Sequence, residues 1–595
     1  MRYHIIFLKP SGKKIEAPQG ERLLPILLAS GVRIRSDCGG RGICGHCRVR
    51  FLKGAPPPTE AEAHLLSPEE LEQGWRLACQ HKVESDIALW IPPFVEEVSQ
   101  EKVRQTFQPI FPLRPKASLI PLFVNQGGPN SALEKLKDAL KEEIKPSLSL
   151  LRQLPGALED GKGSVTFIRV GRKTVSVRPG SGNVDLLGLA VDVGTSTLAA
   201  YLLDLREGKE LGAKAIANPQ ISFGTDVISR ITYVRENGKK GLEELREAVV
   251  SGVNHLVKKL CLKAGAVPQD IVHAVFVGNP TMLHLLLGID PSSIGEAPFA
   301  PVWKEALSLR AKDLDLMINA EAVVDLLPFV SGYVGADTVA CLLACRLHEA
   351  DGSFLLLDIG TNGEIVLGIG GKIFACSTAA GPAFEGGRIS CGMPALPGAV
   401  SHVSLQARGL RWEIIGEEKP RGICGSGLVD LLAILLQTGL VNSSGRLVSR
   451  PGHFLSSHIV SYGNQLAFQI ANTVSLTQRD IRELQLAKAA IRAGIEVLLE
   501  YAGGTPGEIE TVYLAGSFGS QMRPESLVRI GLFPKDFVSK IRPVGNAAGL
   551  GAVIALLDCN ALEEADEITK RIKYIELSRE SLFSSKFVKH LHFPN

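Results

Sequence analysis

From residue 188 onward, apolar runs of strand length alternate with short polar turns. One run spans residues 189–205 and is broken at Gly194-Thr195-Ser196, and a second spans residues 354–368 and is broken at Gly360-Thr361-Asn362. Each pattern predicts two strands joined by a glycine turn. Two hairpins of one design predict a domain made of two related halves.

The polar residues of these hairpins suit a phosphate group and a hydrated Mg²⁺. The turns 194–196 and 360–362 offer backbone amides and hydroxyls to phosphate oxygens. Asp192 and Asp358 stand at strand ends, where a carboxylate can hold the water shell of Mg²⁺ or orient an attacking water. We therefore predict that both turns bind phosphate and that both aspartates lie beside the metal.

A third apolar run, residues 512–515, leads into Gly516-Ser517-Phe518-Gly519. A strand that ends in such a turn permits close approach of an adenosine, so Gly516 and Ser517 are predicted to contact it. A single Asp-x-Gly-Thr turn is more often a plain hairpin, and paired turns also occur in aspartic proteases. Those proteases read Asp-Thr-Gly and need no third motif, so the repetition favours a nucleotide.

The first 91 residues alternate apolar and polar positions over short runs. Residues 5–8 and 14–15 bracket a turn and predict a hairpin, and residues 23–31 predict a short helix closed by glycine. A strand is expected at 47–51, and Ser67-Pro68 predicts the start of another helix. This region therefore reads as one small domain.

The next two regions differ in composition. Residues 92–117 are rich in Pro, Gln and charge without an amphipathic period, and we interpret them as a linker that tethers a mobile domain. Residues 118–186 contain a helical run at 131–140 and alternating strands near 165–177, which predict a small middle domain. No residue there indicates chemistry, so a spacer or docking surface is expected.

Four cysteines near the N-terminus form a pattern suited to iron. Cys38, Cys44 and Cys47 lie in a glycine-rich loop, and Cys79 follows from a distant segment. Glycines let the backbone wrap an anionic cluster and turn its amides inward. Zinc is the alternative, but four-thiolate zinc sites usually bring two short Cys pairs, and here only Cys44 and Cys47 form one. We therefore predict a [2Fe–2S] cluster.

Composition narrows the class of protein. A chain of 595 residues with 45% hydrophobic and 21% charged residues is expected to form three or four globular domains. The formal net charge of +3, with scattered Lys and Arg, indicates no nucleic-acid partner. No export signal is visible, and the uncharged stretches 271–289 and 451–478 hold breakers or many polar residues, so no membrane segment is expected. Eleven cysteines, an odd number, indicate a reducing compartment.

Taken in order, the three glycine-turn motifs resemble the phosphate-1, phosphate-2 and adenosine motifs of the actin-like ATPase superfamily. The cysteine spacing C-x5-C-x2-C resembles that of hydroxylase-type ferredoxins. Further segments are similar to those of one family, the reductive activators of corrinoid proteins: 218–230, 277–284, 297–302, 379–387 and 422–430. One departure is Asn279-Pro280, where many relatives have Asn followed by Thr.

The resemblance covers the whole chain and implies a multidomain α/β architecture. It implies an N-terminal β-grasp ferredoxin, a linker, a small α+β middle domain and a large two-lobed, ribonuclease H-like ATPase domain, over residues 1–91, 92–117, 118–186 and 187–595. The implied cofactors are a [2Fe–2S] cluster, ATP and Mg²⁺. A homodimer through the ATPase domain and a cytoplasmic location in an anaerobe are also expected.

Members of that family return an oxidised corrinoid protein from Co(II) to Co(I) with the help of ATP, so the resemblance implies this activity and a corrinoid partner. Asp192 and Asp358 are then the catalytic residues, and residues 385–388 are expected near the ribose or the partner. The upstream electron donor is not identified by the sequence. A redox-regulated small-molecule kinase of the same superfamily is the alternative, and an electron carrier that keeps the ATPase fold as a docking platform is another.

Overall fold

The computed structural model describes residues 2–594 apart from 10, 11, 31, 33, 35, 37–39, 41, 43, 44, 46, 92–110, 182, 183, 408, 417, 418, 463, 464, 472, 473 and 520. The described residues form six β-sheets. These sheets build a small N-terminal domain, a second small domain and two large lobes, so the predicted multidomain α/β architecture is confirmed. Most of the predicted linker, residues 92–110, lies outside the described residues.

The N-terminal domain is a mixed five-stranded sheet with short helices. Its elements are β1 (Tyr3–Lys9), β2 (Lys14–Pro18), α1 (Leu23–Ala29), β3 (Arg48–Lys53), α2 (Glu60–Leu65), α3 (Pro68–Glu72), β4 (Trp75–Leu77) and β5 (Ile87–Trp90). The strand order is β2-β1-β5-β3-β4, with β1 parallel to β5. The predicted hairpin and the cap at Ser67-Pro68 are present, whereas α1 ends at Ala29, before the predicted glycine stop. This is the expected β-grasp arrangement.

The second small domain is a three-stranded antiparallel sheet with two helices. Its elements are β6 (Ala117–Phe123), α4 (Ala132–Leu140), α5 (Leu148–Asp160), β7 (Ser164–Val170) and β8 (Lys173–Pro179). Val165 and Phe167 of β7 belong to a core shared with the helices, whereas Ile168 and Val170 belong to the core of the first lobe. The small domain is therefore packed onto that lobe. The domain boundaries themselves stay predictions, and β6 begins at Ala117, which we predicted as the last linker residue.

The first lobe is built on a six-stranded sheet. Its elements are β9 (Leu187–Val193), β10 (Thr197–Asp204), β11 (Lys209–Ala217), α6 (Val227–Ala264), β12 (Ile271–Gly278), α7 (Pro280–Leu287), β13 (Leu307–Arg310), β14 (Val323–Leu326) and α8 (Ala336–Ala344). Strand β9 is buried along its length except at Asp192, which is typical of a central strand covered on both faces. The uncharged stretch 271–289 is a buried strand turning into a helix, as predicted.

The second lobe contains another six-stranded sheet and two smaller sheets. Its elements are β15 (Phe354–Ile359), β16 (Gly363–Ile369), β17 (Lys372–Thr378), β18 (Ala399–Gln406), β19 (Gly409–Ile414), β20 (Gly422–Ile423), α9 (Gly425–Gln437), β21 (Ile459–Tyr462), β22 (Gln465–Ala471), β23 (Val474–Thr477), α10 (Gln478–Ala502), β24 (Thr511–Ala515), α11 (Gly516–Gly519), α12 (Pro524–Arg529), β25 (Ile541–Gly545), β26 (Ile572–Tyr574) and α15 (Ser581–Lys589). Between β25 and β26 the chain forms α13 (Ala547–Leu557) and α14 (Ala561–Arg571), whose buried apolar residues belong to the core of the first lobe.

Both lobes share the order of five strands, and the sixth strand lies at opposite edges of the two sheets. The sheets run β11-β10-β9-β12-β14-β13 and β26-β17-β16-β15-β24-β25. In each, an antiparallel three-stranded meander is joined by two strands parallel to its first strand. The predicted relation between the two halves is therefore confirmed, and the central strands β9 and β15 lead into the two predicted turns.

The chain crosses between the lobes at several places. Residues 345–353 lead from α8 of the first lobe to β15 of the second. After β25 of the second lobe, α13 packs against β9, β12 and α8 of the first, and α14 contacts α8 before β26 joins β17. Movement of one lobe against the other must therefore bend residues 345–353 and the ends of α13 and α14.

The C-terminal end of the predicted linker is bonded beside these crossings. Arg114 makes a two-pronged ion pair with Asp558, with Nη2 to Oδ2 at 2.7 Å and Nε to Oδ1 at 3.1 Å. Its backbone N–H donates to the carbonyl of Leu557 at the end of α13. The tether of the N-terminal domain thus starts where the lobes are joined.

Among the described helices, none has the length and hydrophobicity needed to cross a membrane.

Candidate functional site

The two predicted turns meet at one cavity between the lobes. Residues 194–196 and 360–362 line a cavity of about 140 Å³. Its wall also includes Asp192, Asn279, Asp337, Asp358, Glu364, Glu385, Gly516 and Asn546. The hydroxyl and carboxylate groups of this lining suit phosphates and a cation. The structure therefore brings the predicted phosphate and metal residues together.

Asp192 and Asp358 occupy equivalent positions at the ends of the central strands. Each is the last residue but one of its strand. Burial raises the pKa of Asp192 to about 7, and the carboxylates of Asp337 and Asp358 act in the same direction. Burial also raises the pKa of Asp358 to about 7, with contributions from Asp337 and Glu385. Several carboxyl groups that share one cavity away from bulk water suit a hydrated divalent cation, and Mg²⁺ binding at Asp192 and Asp358 stays a prediction.

Two further carboxylates of this group were not predicted from the sequence. Asp337 lies in the first turn of α8, and burial raises its pKa to about 6. Glu364 stands opposite Asp358 across the β15–β16 hairpin, and burial raises its pKa well above the ordinary value. Like charges facing each other across a hairpin are unfavourable unless a proton or cation lies between them. Glu364 could have been found within its motif, but no neighbour of Asp337 in the chain pointed to the site.

Glu385 lies between the two turns. It accepts hydrogen bonds from Ser196 Oγ at 3.2 Å and from Thr361 Oγ1 at 2.9 Å. Residues 385–388 were expected near the ribose or the partner, and the structure places the Glu385 carboxylate against the hydroxyls predicted to bind phosphate. This contact joins the first lobe to the second.

The segment 218–230, one of those that carry the family resemblance, supports the first turn. Asn218 Nδ2 donates to the carbonyl of Gly194 at 2.8 Å, and Arg230 Nη2 donates to the carbonyl of Thr195 at 2.6 Å. Both side chains are buried, and this burial lowers the pKa of Arg230 to about 9. The two carbonyl contacts fix the turn so that its amides keep one direction.

Asn546 connects the first turn region to the second lobe. Its Nδ2 donates to Asp192 Oδ2 at 3.1 Å, and its Oδ1 accepts from the N–H of Gly549 at 2.8 Å. The second bond caps α13. Asn546 was not predicted, because it lies 354 residues from Asp192 in the chain.

Gly516, from the third predicted motif, touches this site directly. It has a φ of +80°, and a Cβ added there would lie 2.5 Å from Asp358 Oδ1. Only glycine permits both the backbone conformation and the close approach. The side chain of Ser517 lies outside the described part of the chain, and adenosine contact by this motif stays a prediction.

Of the four predicted cluster cysteines, Cys47 and Cys79 are described, whereas Cys38 and Cys44 are not. Cys47 and Cys79 are both buried, and the N–H of the residue before Cys79 donates to the carbonyl of Cys47 at 2.8 Å. A Cβ on Gly40, whose φ is +90°, would lie 3.9 Å from the Cβ of Cys79. Two buried cysteines on segments that are hydrogen-bonded to each other, with Gly40 close to one of them, fit a thiolate-bound cluster.

A buried carboxylate fixes the segment that carries Cys79. Glu62 of α2 accepts hydrogen bonds from the N–H groups of Leu77 and Thr59 and lies 2.8 Å from His81 Nε2. Burial alone would raise the pKa of Glu62, but these hydrogen bonds outweigh it and hold the pKa below its ordinary value. Glu62 was not predicted from the sequence, since two of its partners lie 15 and 19 residues away.

Comparison with known families matches most of the chain. The model of the C-terminal domain of RACo, the ASKHA domain, matches residues 353–595, and that of the RACo middle region matches residues 187–350. The model of the 2Fe-2S iron-sulfur cluster binding domain matches residues 6–84. The division at 350/353 falls at the crossing from the first lobe to the second.

Individual proteins are similar to all or about two thirds of this chain. The corrinoid activation enzyme RamQ of Eubacterium limosum is 30% identical, over 98% of this chain and 98% of its own. The Co(II) methylated amine-specific corrinoid protein reductase of Methanosarcina barkeri is 26% identical, over 65% of this chain and 73% of its own. Among solved structures, a reductive activator for corrinoid, iron-sulfur protein matches with a TM-score of 0.74 and 34% identity, over 100% of this chain and 98% of that chain.

Proposed function

The chain belongs to the family of reductive activators of corrinoid proteins, and from this premise we propose that it uses ATP to assist the reduction of a corrinoid protein from Co(II) to Co(I). The observation that carries the proposal is the combination, in one chain, of a cluster-binding domain and an interlobe site built from two phosphate-type turns. Either part alone occurs in proteins of many functions. Relatives that match the whole chain and are named as corrinoid activators support the combination.

We assign the cluster to Cys38, Cys44, Cys47 and Cys79. When bound, a [2Fe–2S] cluster supplies single electrons at a low potential, about −400 mV in plant-type ferredoxins. The chain contributes the adjacent buried positions of Cys47 and Cys79 and the glycine loop that can turn amides toward sulfide. Glu62 keeps the Cys79 segment against α2.

We assign the nucleotide to both lobes. Residues 194–196 and 360–362 bind phosphates through amides and hydroxyls, and Gly516 and Ser517 lie against adenosine. Asp192 and Asp358 hold the hydrated Mg²⁺, and Asp358 also orients the attacking water. When bound, Mg-ATP supplies the free energy of its hydrolysis. The raised pKa values of the carboxyl groups support this assignment, because a divalent cation would relieve their mutual repulsion.

Movement of the lobes connects the nucleotide to the reduction. Phosphates held by both turns favour one arrangement of the lobes over others. The small domain shares a core with the first lobe, and the linker is bonded to Asp558 beside the crossings. In the proposal, a change in lobe arrangement alters how this protein binds the corrinoid protein. The tethered N-terminal domain then approaches the cobalt.

The proposal also covers the cellular location and the oligomeric state of the protein. We place it in the cytoplasm of an anaerobe, since eleven cysteines in odd number suit a reducing compartment and Co(I) is a strong reductant. We also propose a homodimer through the ATPase domain, as the family resemblance implies.

An anaerobic absorbance experiment tests this function. The reduced protein is mixed with a Co(II) corrinoid iron–sulfur protein or another corrinoid protein, and the Co(I) band is followed with and without Mg-ATP. Co(I) that forms only with Mg-ATP is the expected result. Absence of Co(I) with every corrinoid protein tried, together with a phosphorylated small-molecule product, would instead establish the kinase.

A further inference from the structure

A second group of metal-binding side chains lies where the chain crosses between the lobes. His348 and Glu349 belong to residues 345–353, which lead from α8 to β15. Glu564 lies on α14, the helix that leads from the first lobe toward β26 of the second. The group is separate from the interlobe cavity, and none of its members lines that cavity.

The distances suit a shared ion better than direct hydrogen bonds. His348 Nε2 lies 3.5 Å from Glu349 Oε1 and 3.8 Å from Glu564 Oε2. One ligand atom from each residue lies within 4.8 Å of the other two. These separations exceed those of N–H···O hydrogen bonds. Ligand atoms placed about 2.1 Å from a tetrahedral zinc ion are about 3.4 Å apart, close to the two distances from His348.

His348 supplies an independent indication of a ligand. Its side chain is only 9% exposed, and neither Nδ1 nor Nε2 has a hydrogen-bond partner among the described residues. Buried polar atoms in folded proteins are nearly always paired, and leaving one unpaired is costly. Coordination through Nε2 would give the ring the partner that it lacks, because Nε2 lies within 3.8 Å of an oxygen of each carboxylate.

Neighbouring arginines hold the group in this orientation. Arg346 donates from Nε to Glu349 Oε2 at 2.9 Å, which leaves Oε1 facing His348. Arg571 Nη1 donates to the backbone carbonyl of His348 at 2.7 Å. A metal ligand whose other oxygen is bonded elsewhere is fixed in position before the ion arrives.

We propose that His348, Glu349 and Glu564 bind one divalent cation of the zinc class and that this ion ties together the segments about which the lobes move. One imidazole and two carboxylates favour Zn²⁺ over Mg²⁺ or Ca²⁺, which prefer all-oxygen sites. Because the ligands come from two crossing segments, the bound ion restrains both. It therefore favours the lobe arrangement seen here and slows opening.

Zinc binding to the cluster-loaded protein tests the site. Titration of Zn²⁺ with a competing chelating dye is done in excess Mg²⁺, which occupies the carboxylates of the interlobe cavity. We expect one tight equivalent in the wild type and at least tenfold weaker binding in His348→Ala and in Glu564→Gln. Glu563→Gln, an exposed neighbour on the same helix, is the matched control and should bind as the wild type does. No tight equivalent, or equal binding in wild type and both site variants, would overturn the proposal.

Hydrogen exchange gives a second readout. Zn²⁺ should slow exchange of the amides in residues 345–353 and 558–571 of the wild type and of Glu563→Gln, but not of Glu564→Gln. Slowing that is equal in Glu564→Gln and in the wild type would contradict a shared ion at the crossings. Since Glu564→Gln keeps the size of the side chain, this comparison does not depend on His348→Ala folding normally.

Discussion

Ser196 of the first lobe donates a hydrogen bond of 3.2 Å to Glu385 of the second lobe. Glu385 accepts another from Thr361 at 2.9 Å, so one carboxylate contacts both phosphate-type turns. A hydroxyl has a single proton to donate. Ser196 and Thr361 therefore cannot serve Glu385 and a phosphate oxygen at once, and nucleotide binding through these hydroxyls must displace the carboxylate.

The first prediction concerns the competition between the Glu385 carboxylate and the phosphates for the hydroxyls of Ser196 and Thr361. Glu385→Gln removes a negative charge that repels phosphates, and we expect Mg-ATP to bind about threefold to tenfold more tightly. Calorimetric titration of the anaerobic protein measures the change. Glu413→Gln, which alters an exposed carboxylate of the same lobe, should leave the affinity unchanged. Weaker binding by Glu385→Gln would mean that Glu385 is a ligand of the cation and not a competitor of the phosphate.

A second prediction follows from the contact between Gly516 and Asp358. Gly516→Ala would place a Cβ 2.5 Å from Asp358 Oδ1 and displace that carboxylate. We expect at least a tenfold loss of Mg-ATP affinity. Gly503→Ala is the matched control, because Gly503 also has a positive φ, of +66°, but has open space at its Cβ position. Both variants carry the same backbone cost, of about 1 kcal/mol or more, and only the first should lose nucleotide. Equal losses would show that the collision with Asp358 is unimportant.

Residues that lie in recurring local motifs could be assigned to a site from the sequence. Asp192 and Asp358 were predicted to share a site because each ends an apolar strand and precedes a glycine turn, and both line the interlobe cavity. The same signal predicted the two halves of the fold. Cys47 and Cys79 were predicted from their spacing to ligate the same cluster. The structure places their segments side by side.

Residues brought to the site by distant parts of the chain could not be predicted in this way. Asn546 meets Asp192 only because α13 leaves the second lobe and packs on the first. Asp337 approaches both aspartates because α8 packs against β12 and α13. His348 and Glu564 stand alone in sequence and become a group only where the crossings meet. Such positions depend on topology, which no short motif encodes.

The third prediction concerns the segment that carries Cys79. Glu62→Gln puts an amide where a buried carboxylate accepts hydrogen bonds from Leu77, Thr59 and His81. We expect the N-terminal domain to lose about 1–3 kcal/mol of stability, because a buried N–H would be left unpaired. The midpoint of urea-induced loss of the cluster's visible absorbance measures it. Glu60→Gln, on the exposed side of the same helix, should behave as the wild type does, and an equal midpoint in Glu62→Gln would contradict the account.

The fourth prediction is a pH dependence at the C-terminus. The imidazole of His590, at 2.9 Å, together with Arg492 and Lys589, outweighs burial and holds the pKa of Glu496 at about 2. A carboxylate with a lowered pKa stabilises the fold above its unfolded pKa, and this contribution is lost as the pH falls toward the folded value. Between pH 5 and pH 2 the docking of α15 on α10 should therefore weaken, by up to about 3 kcal/mol.

Hydrogen exchange of residues 581–589, corrected for intrinsic rates, measures that docking. The difference between wild type and Glu496→Gln should be large at pH 5 and should shrink as the pH approaches 3. Glu483→Gln, which alters a carboxylate near the start of α10, serves as the control. A difference that is constant with pH would show that the charge of Glu496 is not what holds the helix.

The most direct test of the central claim compares the wild type with Asp358→Asn in a single-turnover reduction. Both proteins, loaded with cluster and reduced, are mixed anaerobically with a Co(II) corrinoid protein and Mg-ATP, and the Co(I) absorbance is recorded. The account predicts that Asp358→Asn keeps the visible spectrum of the cluster but loses ATP-driven formation of Co(I). If Asp358→Asn forms Co(I) with ATP as fast as the wild type, the interlobe site does not drive the reduction.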